Sequence, residues 1–518
     1  MQRKIDISSL LLLSALLLGV IFRFYPAITN GFPLNDGGMF YTMVQDLKAK
    51  GYALPQWTTY NHAEIPFAYP PFGFYIAALL SALTPAPDLW IFLYLPAVVN
   101  TISILVFYKL AGQILASRIS AALAVLVFAL APRSFLWQIM GGGITRAFGM
   151  LFFLLLLWQA IQLFRKYGKK HLVFSILFGA GAVLCHPQTA LHTALGVLLL
   201  FGFYGLNKRG FTSAIFTGAG TAFLTAPWWW TVLSRHGLEP FISAGQTSQR
   251  TLESYLSLLR FEGLGDYLFL PIVLLALPVL WSSLRKREFL FITWIAAACL
   301  ADPRGADGII LLPLSMLAGA GLQKLSAWIS RPDSDQAEVI FMKRRARILL
   351  FCLIFYFIMV AGIFDFQLIN TSLKADDLAM IEWVNKNIDG EKTFLLATGR
   401  EFSMSDPLQE WFPALTDQHS ATTMQGLEWT LGENFFPWYA ELIAFQHCTD
   451  VNCVSEWSMR NGVDYDFLVV LIPPESDGSE LAGSQRTLAV STSGSTFHAP
   501  VYESEHALIF ELIKRGSH

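Results

Sequence analysis

Long apolar runs dominate the first two thirds of this chain. They recur near residues 7–24, 89–108, 118–132, 147–164, 171–186, 189–206, 212–233, 264–284, 288–301, 307–328 and 348–366. Each can cross a bilayer core of about 30 Å as a helix, the shorter ones with help from their flanks. From residue 367 onward hydropathy falls and apolar positions alternate. There "DDLAMIEWVNKNI" reads as a helix, "TFLLAT" and "DFLVVLI" as strands, and "PVYESEHALIFELI" as a final hairpin. The expected architecture is an α-helical polytopic membrane domain, residues 1–366, with about 11 to 13 transmembrane helices. A small soluble α/β domain follows over residues 367–518.

Basic residues orient the runs. "QRK", "KLAGQILASR", "FRKYGKK", "NKRG", "LRKRE" and "KRRAR" belong on the cytoplasmic side by the positive-inside rule. That register holds only if residues 70–87, "PPFGFYIAALLSALTPAP", form a short juxtamembrane or re-entrant helix. Two leading prolines and a length of roughly 15 residues fit this better than a crossing. The outer set is then a first loop at 25–88, followed by 133–146, 186–188, 230–263, 302–307 and the C-terminal domain, which is expected to be extracytoplasmic on a cell membrane. No internal repeat is evident, which weighs against an inverted-repeat transporter.

Composition sharpens this picture. The 518 residues are 54% hydrophobic and 14% charged, whereas soluble domains carry about 25% charged residues. A net charge of -2 lacks the Lys and Arg excess of a nucleic-acid partner. The first run has no small-residue cleavage site and leads into "RFYP", so it reads as a retained span. The terminal "RGSH" resembles an expression tag and is set aside. Cys185, Cys299 and Cys352 lie in apolar runs as small hydrophobes. Cys448 and Cys453, in "HCTDVNC", could form a local disulfide outside the cytosol; a zinc site with His447 lacks a fourth ligand.

The outer face collects the polar residues that can carry chemistry. Asp36, in "NGFPLNDGGMFYTMVQDL", precedes an interfacial amphipathic helix. It either caps that helix or serves as a general base or metal ligand reaching both a lipid-borne and a water-borne reactant. "YNHAEIPFAYPPFGFY" supplies His62, Glu64 and Tyr69, with interfacial anchoring as the alternative. "QIMGGGITRAFG" sets a glycine-rich turn at a helix N-terminus beside Arg146, which suits an anion; a flexible turn with a snorkelling Arg is the alternative. "LCHPQTALH" brings His186, Gln188 and His192 to an outward turn, where His186 is a site residue or a helix cap. "ADPRGADG" places Arg304 between two acids, where it grips a phosphate or pairs locally.

Together, the first-loop acid, "AYPPFGFYIAALL", the His-Pro turn, the Arg loop before "LLPLSMLAGAGL" and the outer soluble domain resemble the GT-C superfamily of membrane glycosyltransferases. This group includes protein O-mannosyltransferases, lipid A aminoarabinose transferases and oligosaccharyltransferase catalytic subunits. The resemblance implies transfer of a sugar from a polyprenyl-phosphate or polyprenyl-diphosphate donor to an acceptor outside the membrane. By it Asp36 is the first-loop acid that acts as base or ligand of a divalent cation, magnesium or manganese, with Glu64 as a second catalytic candidate. Arg304, Arg146 and His186 would contact the donor phosphate. Asp36 follows Asn35 rather than a second acid, and the "WWDYG" signature of oligosaccharyltransferases is absent. The nearest stretch is 409–429, "QEWFPALTDQHSATTMQGLEW", whose Trp411, with Tyr69, is an acceptor-site candidate or else packs the domain on the membrane. The rival readings are a transporter or flippase of lipid-linked sugar and a noncatalytic surface-assembly factor.

Overall fold

The computed structural model describes residues 6–247, 252–257, 269–303, 305–331, 337–474 and 479–513. Helix α1 (Ile7–Asn30) starts where Asp6 accepts from the Ser8 amide and stops at Gly31 in a left-handed C-cap. The first loop follows, holding α2 (Gly38–Ala49), a minimal antiparallel pair β1 (Trp57–Thr58) and β2 (Ile65–Pro66), and α3 (Phe72–Leu83). At 12 residues, α3 is about 18 Å long and does not cross a bilayer, as the prolines and charge register had suggested.

The body then runs through α4 (Asp88–Ile114), α5 (Arg118–Leu130), the one-turn α6 (Leu136–Ile139), α7 (Gly143–Lys166), α8 (Lys169–Val183), α9 (Pro187–Tyr204) and α10 (Lys208–His236). It continues through α11 (Glu239–Gln246), α12 (Leu252–Ser257), α13 (Phe269–Arg285), α14 (Leu290–Ala301), α15 (Ala306–Ser330), α16 (Ala337–Met342) and α17 (Arg344–Ile369). Within the described residues every apolar run of the sequence holds a helix. The expected 11 to 13 crossings do not follow from this, however. Among the described residues five helices, α1, α4, α7, α15 and α17, are long and apolar enough to cross; a sixth appears if α5 and the segment Pro132–Ile139, bent by 85°, count as one.

Helix α5 is buried on every side from Ile119 to Leu130, so an all-round apolar sequence becomes the centre of the bundle rather than a lipid face. Helices α1, α4, α15 and α17 pack around it, and α7, packed on α4, joins the same continuous core. The outer stripe of α17, Phe351, Phe355, Met359, Ile363 and Phe366, is exposed. Large side chains left outward at helical spacing suit lipid rather than water.

The C-terminal domain holds α18 (Ala375–Asn387), β3 (Thr393–Ala397), α19 (Pro407–Thr416), β4 (His419–Ser420), α20 (Phe435–Gln446), α21 (Val451–Asn461), β5 (Phe467–Leu471), α22 (Glu480–Ser493), β6 (His498–Glu503) and β7 (Ala507–Leu512). The sheet order is β4-β3-β5-β7-β6. The β4, β3 and β5 pairings are parallel, and the β5–β7 and β6–β7 pairings antiparallel. Period-two alternation explains how the sheet is covered on both faces. Leu395, Ala397, Leu468, Val470, Leu508 and Phe510 enter one core, while Phe394, Leu396, Phe467, Val469, Ala507 and Ile509 enter the other. Cys448 and Cys453 are joined in a disulfide.

Candidate functional site

Three chain-distant segments meet at one end of the bundle. Leu34 accepts from the Gly141 amide at 2.9 Å, and Asn35 donates to the Thr371 carbonyl at 3.1 Å. The first loop is thereby strapped between the turn before α7 and the start of the outer domain. The contact is so close that a Cβ on Gly141 would collide with the Asp36 carbonyl, which explains a glycine there.

Asp36 lies at the centre of this junction. Its Oδ2 accepts from Arg146 Nη1 at 2.7 Å, and its Oδ1 accepts from Arg146 Nη2 at 3.0 Å and from the Gly142 amide at 2.9 Å. This is a bidentate fork with an added backbone donor. The glycine-rich turn and Arg146 do form an anion site, as their spacing suggested, and the anion in it is Asp36. Arg146 is itself fixed. Its Nε donates to the Trp137 carbonyl at 2.7 Å, and its guanidinium lies 5.1 Å from the Trp137 ring centroid.

Asp36 is therefore no helix cap. The N-terminus of α2 is taken by Glu410, from α19 of the outer domain, whose Oε1 accepts from the Gly37 amide at 3.1 Å and the Met39 amide at 3.2 Å. Burial, with the Asp36 charge second, pushes the Glu410 carboxyl up to about 8, so it is largely protonated at neutral pH. Sequence reasoning passed Glu410 over. It stands within 409–429 beside Trp411, and nothing local marks it as buried.

The remaining candidates divide. Tyr69 joins the cluster: its hydroxyl is 3.3 Å from Thr145 Oγ1, and its ring packs on Phe40, Trp429 and His186. His186 caps α9, its Nδ1 accepting from the Thr189 amide at 3.3 Å. Desolvation, with Arg146 second, holds its imidazole at about 3. It is thus neutral, and brings hydrogen bonding rather than positive charge to any phosphate. The two quoted loops beyond it do meet, since His192 Nε2 lies 3.2 Å from Asp302 Oδ2. Arg304 lies outside the described residues.

Two expectations require correction. Glu64 is exposed in a left-handed conformation, φ 48°, and among the described residues it makes no hydrogen bond or ion pair with the Asp36 cluster. Trp411 is 0% exposed. Its Nε1 donates to the Asn35 carbonyl at 2.9 Å, and its ring meets Phe32 edge-on. A side chain so enclosed has no face for an acceptor; it anchors the outer domain to the first loop. Nor do the donors around Asp36 suit magnesium or manganese. Both its oxygens are engaged by N–H groups, and among the described residues no three His, Cys, Asp or Glu side chains group to hold a metal.

A cavity of about 560 Å³ opens beside this junction, lined by Asn35, Trp137 and Met140 together with Arg133, Arg400 and Phe402.

The fold recurs in solved structures. The chain is similar to the oligosaccharyltransferase AglB from Archaeoglobus fulgidus in complex with an inhibitory peptide and a dolichol-phosphate. The TM-score is 0.54 at 12% identity, over 91% of this chain and 70% of that one. It is similar to ArnT from Cupriavidus metallidurans bound to undecaprenyl phosphate, TM-score 0.53 at 13% identity, over 96% of this chain and 97% of that one. The fold is that of the GT-C glycosyltransferases. A GT-C fold also appears in the archaeal oligosaccharyltransferase in complex with Zn and sulfate, TM-score 0.52 at 13% identity, over 89% and 68% of the two chains. No protein-family model and no curated protein sequence matches the chain. The GT-C fold is thus visible in architecture where sequence similarity has faded.

Proposed function

We propose that this chain is a membrane glycosyltransferase that moves a sugar from a polyprenyl-phosphate or polyprenyl-diphosphate donor to an acceptor on the outer face. The observation that carries this reading is the Asp36 carboxylate, fixed where first loop, bundle and outer domain meet, in a GT-C fold shared with proteins solved with dolichol-phosphate and undecaprenyl phosphate. Breaking a glycosyl-phosphate bond gives an oxocarbenium-like sugar and an anionic leaving group. Asp36 is the base for the acceptor. Arg146 has one further N–H on each Nη, beyond those bound to Asp36, to offer a phosphate oxygen. Tyr69 and neutral His186 orient the donor from the other side. The Cys448–Cys453 disulfide supports an oxidising, extracytoplasmic location for the C-terminal domain on the cell membrane.

The test is turnover of a radiolabelled polyprenyl-phosphate sugar by membranes carrying wild type or Asp36→Asn at matched expression. A loss of roughly 10²-fold or more in transfer and in donor hydrolysis, the scale of general-base catalysis, is expected in the variant. Equal turnover by both chains removes Asp36 from the chemistry. No turnover by either, across several donors, favours transport or assembly.

A further inference from the structure

We infer that the guanidinium of Arg146 takes the place of a divalent cation at Asp36, so that this site works without bound metal. A hard cation bonds carboxylate oxygens at about 2.0–2.6 Å and needs their lone pairs directed at it. Here Arg146 and the Gly142 amide take both directions on Oδ1 and one on Oδ2, at 3.0, 2.9 and 2.7 Å, leaving one lone pair on Oδ2, enough to accept a proton but not to chelate an ion. A cation entering there would face the guanidinium across the same two oxygens.

Arg146 has little freedom to retreat. The Trp137 carbonyl and ring hold it, and its side chain is only 15% exposed. The wall opposite is shaped to it, since a Cβ on Gly142 would lie 2.7 Å from Asp36 Oδ2 and 2.8 Å from Arg146 Nη1. The neighbouring carboxyl, Glu410, aims Oε1 at two amides, which draws it toward α2 and away from a shared ion. Like a bridging cation, the guanidinium has a second side. Among the described residues one N–H on each Nη is uncommitted, so the group can join a carboxylate to a phosphate oxygen.

Only the turnover part of the test rests on the proposed function; the metal-binding part stands alone. The purified full chain, freed of metal by chelator, is titrated with Mn²⁺ and followed by electron paramagnetic resonance, with and without undecaprenyl phosphate. Wild type and Asp36→Asn are expected to give the same free-Mn²⁺ signal in both conditions. About one Mn²⁺ per wild-type chain, lost in Asp36→Asn, overturns the inference even if it appears only with the lipid phosphate.

In the turnover arm, wild type is expected to stay within about 2-fold with or without chelator. Arg146→Ala should lose about 10²-fold, the scale of one preorganised charge donor, and regain about 10-fold with added guanidinium. Arg146→Lys, which keeps charge but not the fork, should fall between. Chelator loss in wild type, or Arg146→Ala rescued by Mn²⁺ and not by guanidinium, also overturns it. Absent turnover in every chain counts against the proposed function and leaves the Mn²⁺ result to decide this one.

Discussion

Two arginines grip the same short segment, and they do so with different partners. Arg23, on α1, lies 5.1 Å from the Phe135 ring, and Arg146, on α7, lies 5.1 Å from the Trp137 ring. Arg23 is 0% exposed and spends its N–H groups on uncharged acceptors: Asn100 Oδ1, the Gly19 and Ala129 carbonyls and Ser134 Oγ. Arg146 instead faces a carboxylate and keeps N–H groups in reserve. The first arrangement commits four of five N–H groups to neutral acceptors, and a buried cation so tied fixes helices; the second is a charged pair with two N–H groups left, which suits a passing anion.

Arg23→Met should break this contrast most severely. It leaves Asn100, Ser134 and two carbonyls without their donor and is expected to cost about 3 kcal/mol or more, read as a lower unfolding temperature in detergent. Arg146→Lys should unfold close to wild type while losing transfer. Equal thermal losses in both would erase the division between a structural and a working arginine.

Glu410 sharpens the comparison from the outer domain. Its folded value of about 8 stands above the ordinary value of 4.5. The native chain therefore keeps a proton that the unfolded chain has released, and stability falls as pH rises between those values, by an amount on the order of a few kcal/mol. Glu410→Gln should flatten that slope in pH-dependent unfolding. An unchanged slope would show that Glu410 is ionised as folded and adds a second charge beside Asp36.

Smaller effects are expected farther away. Trp411→Phe keeps the packing but loses the donor to Asn35, at a cost of about 1 kcal/mol, with faster hydrogen exchange in the first loop as its signature. His506 Nε2 is 2.7 Å from Asp377 Oδ1. That hydrogen bond raises His506 and, against burial, lowers Asp377. The histidine's contribution is complete below its ordinary value of 6.5 and fades as pH rises through the raised value. The aspartate's is complete above 3.8 and fades as pH falls. His506→Asn should therefore cost about 1 kcal/mol between these limits and little outside them, with Asp36-dependent transfer untouched.

Local pattern carried much of this fold. Apolar runs became helices because no other single segment satisfies its own backbone in lipid, and alternation placed β3, β5, β6 and β7. Which helices cross was not legible, since α5 is as apolar as its neighbours but is wrapped by them. At the site, Asp36, the glycine turn and Arg146 each stood out, but read singly they suggested a base and a separate phosphate anchor. Their pairing joins positions 110 residues apart, beyond any local rule. Glu64 stood out as an acid among aromatics, yet the left-handed turn at 61–64 leaves it in solvent. Glu410 was hidden for the converse reason, because its burial is made by residues from the other end of the chain.

That distance bears on how the protein comes into being. The amides of Gly37 and Met39 wait for a carboxyl 373 and 371 residues downstream, and the Asn35 carbonyl waits for an indole 376 residues away. Contacts of such separation form late. Until the final quarter of the chain has been synthesised and delivered to its side of the bilayer, the loop bearing Asp36 lacks its outer wall. A nascent or truncated chain would carry every candidate span and still lack one wall of the Asp36 junction.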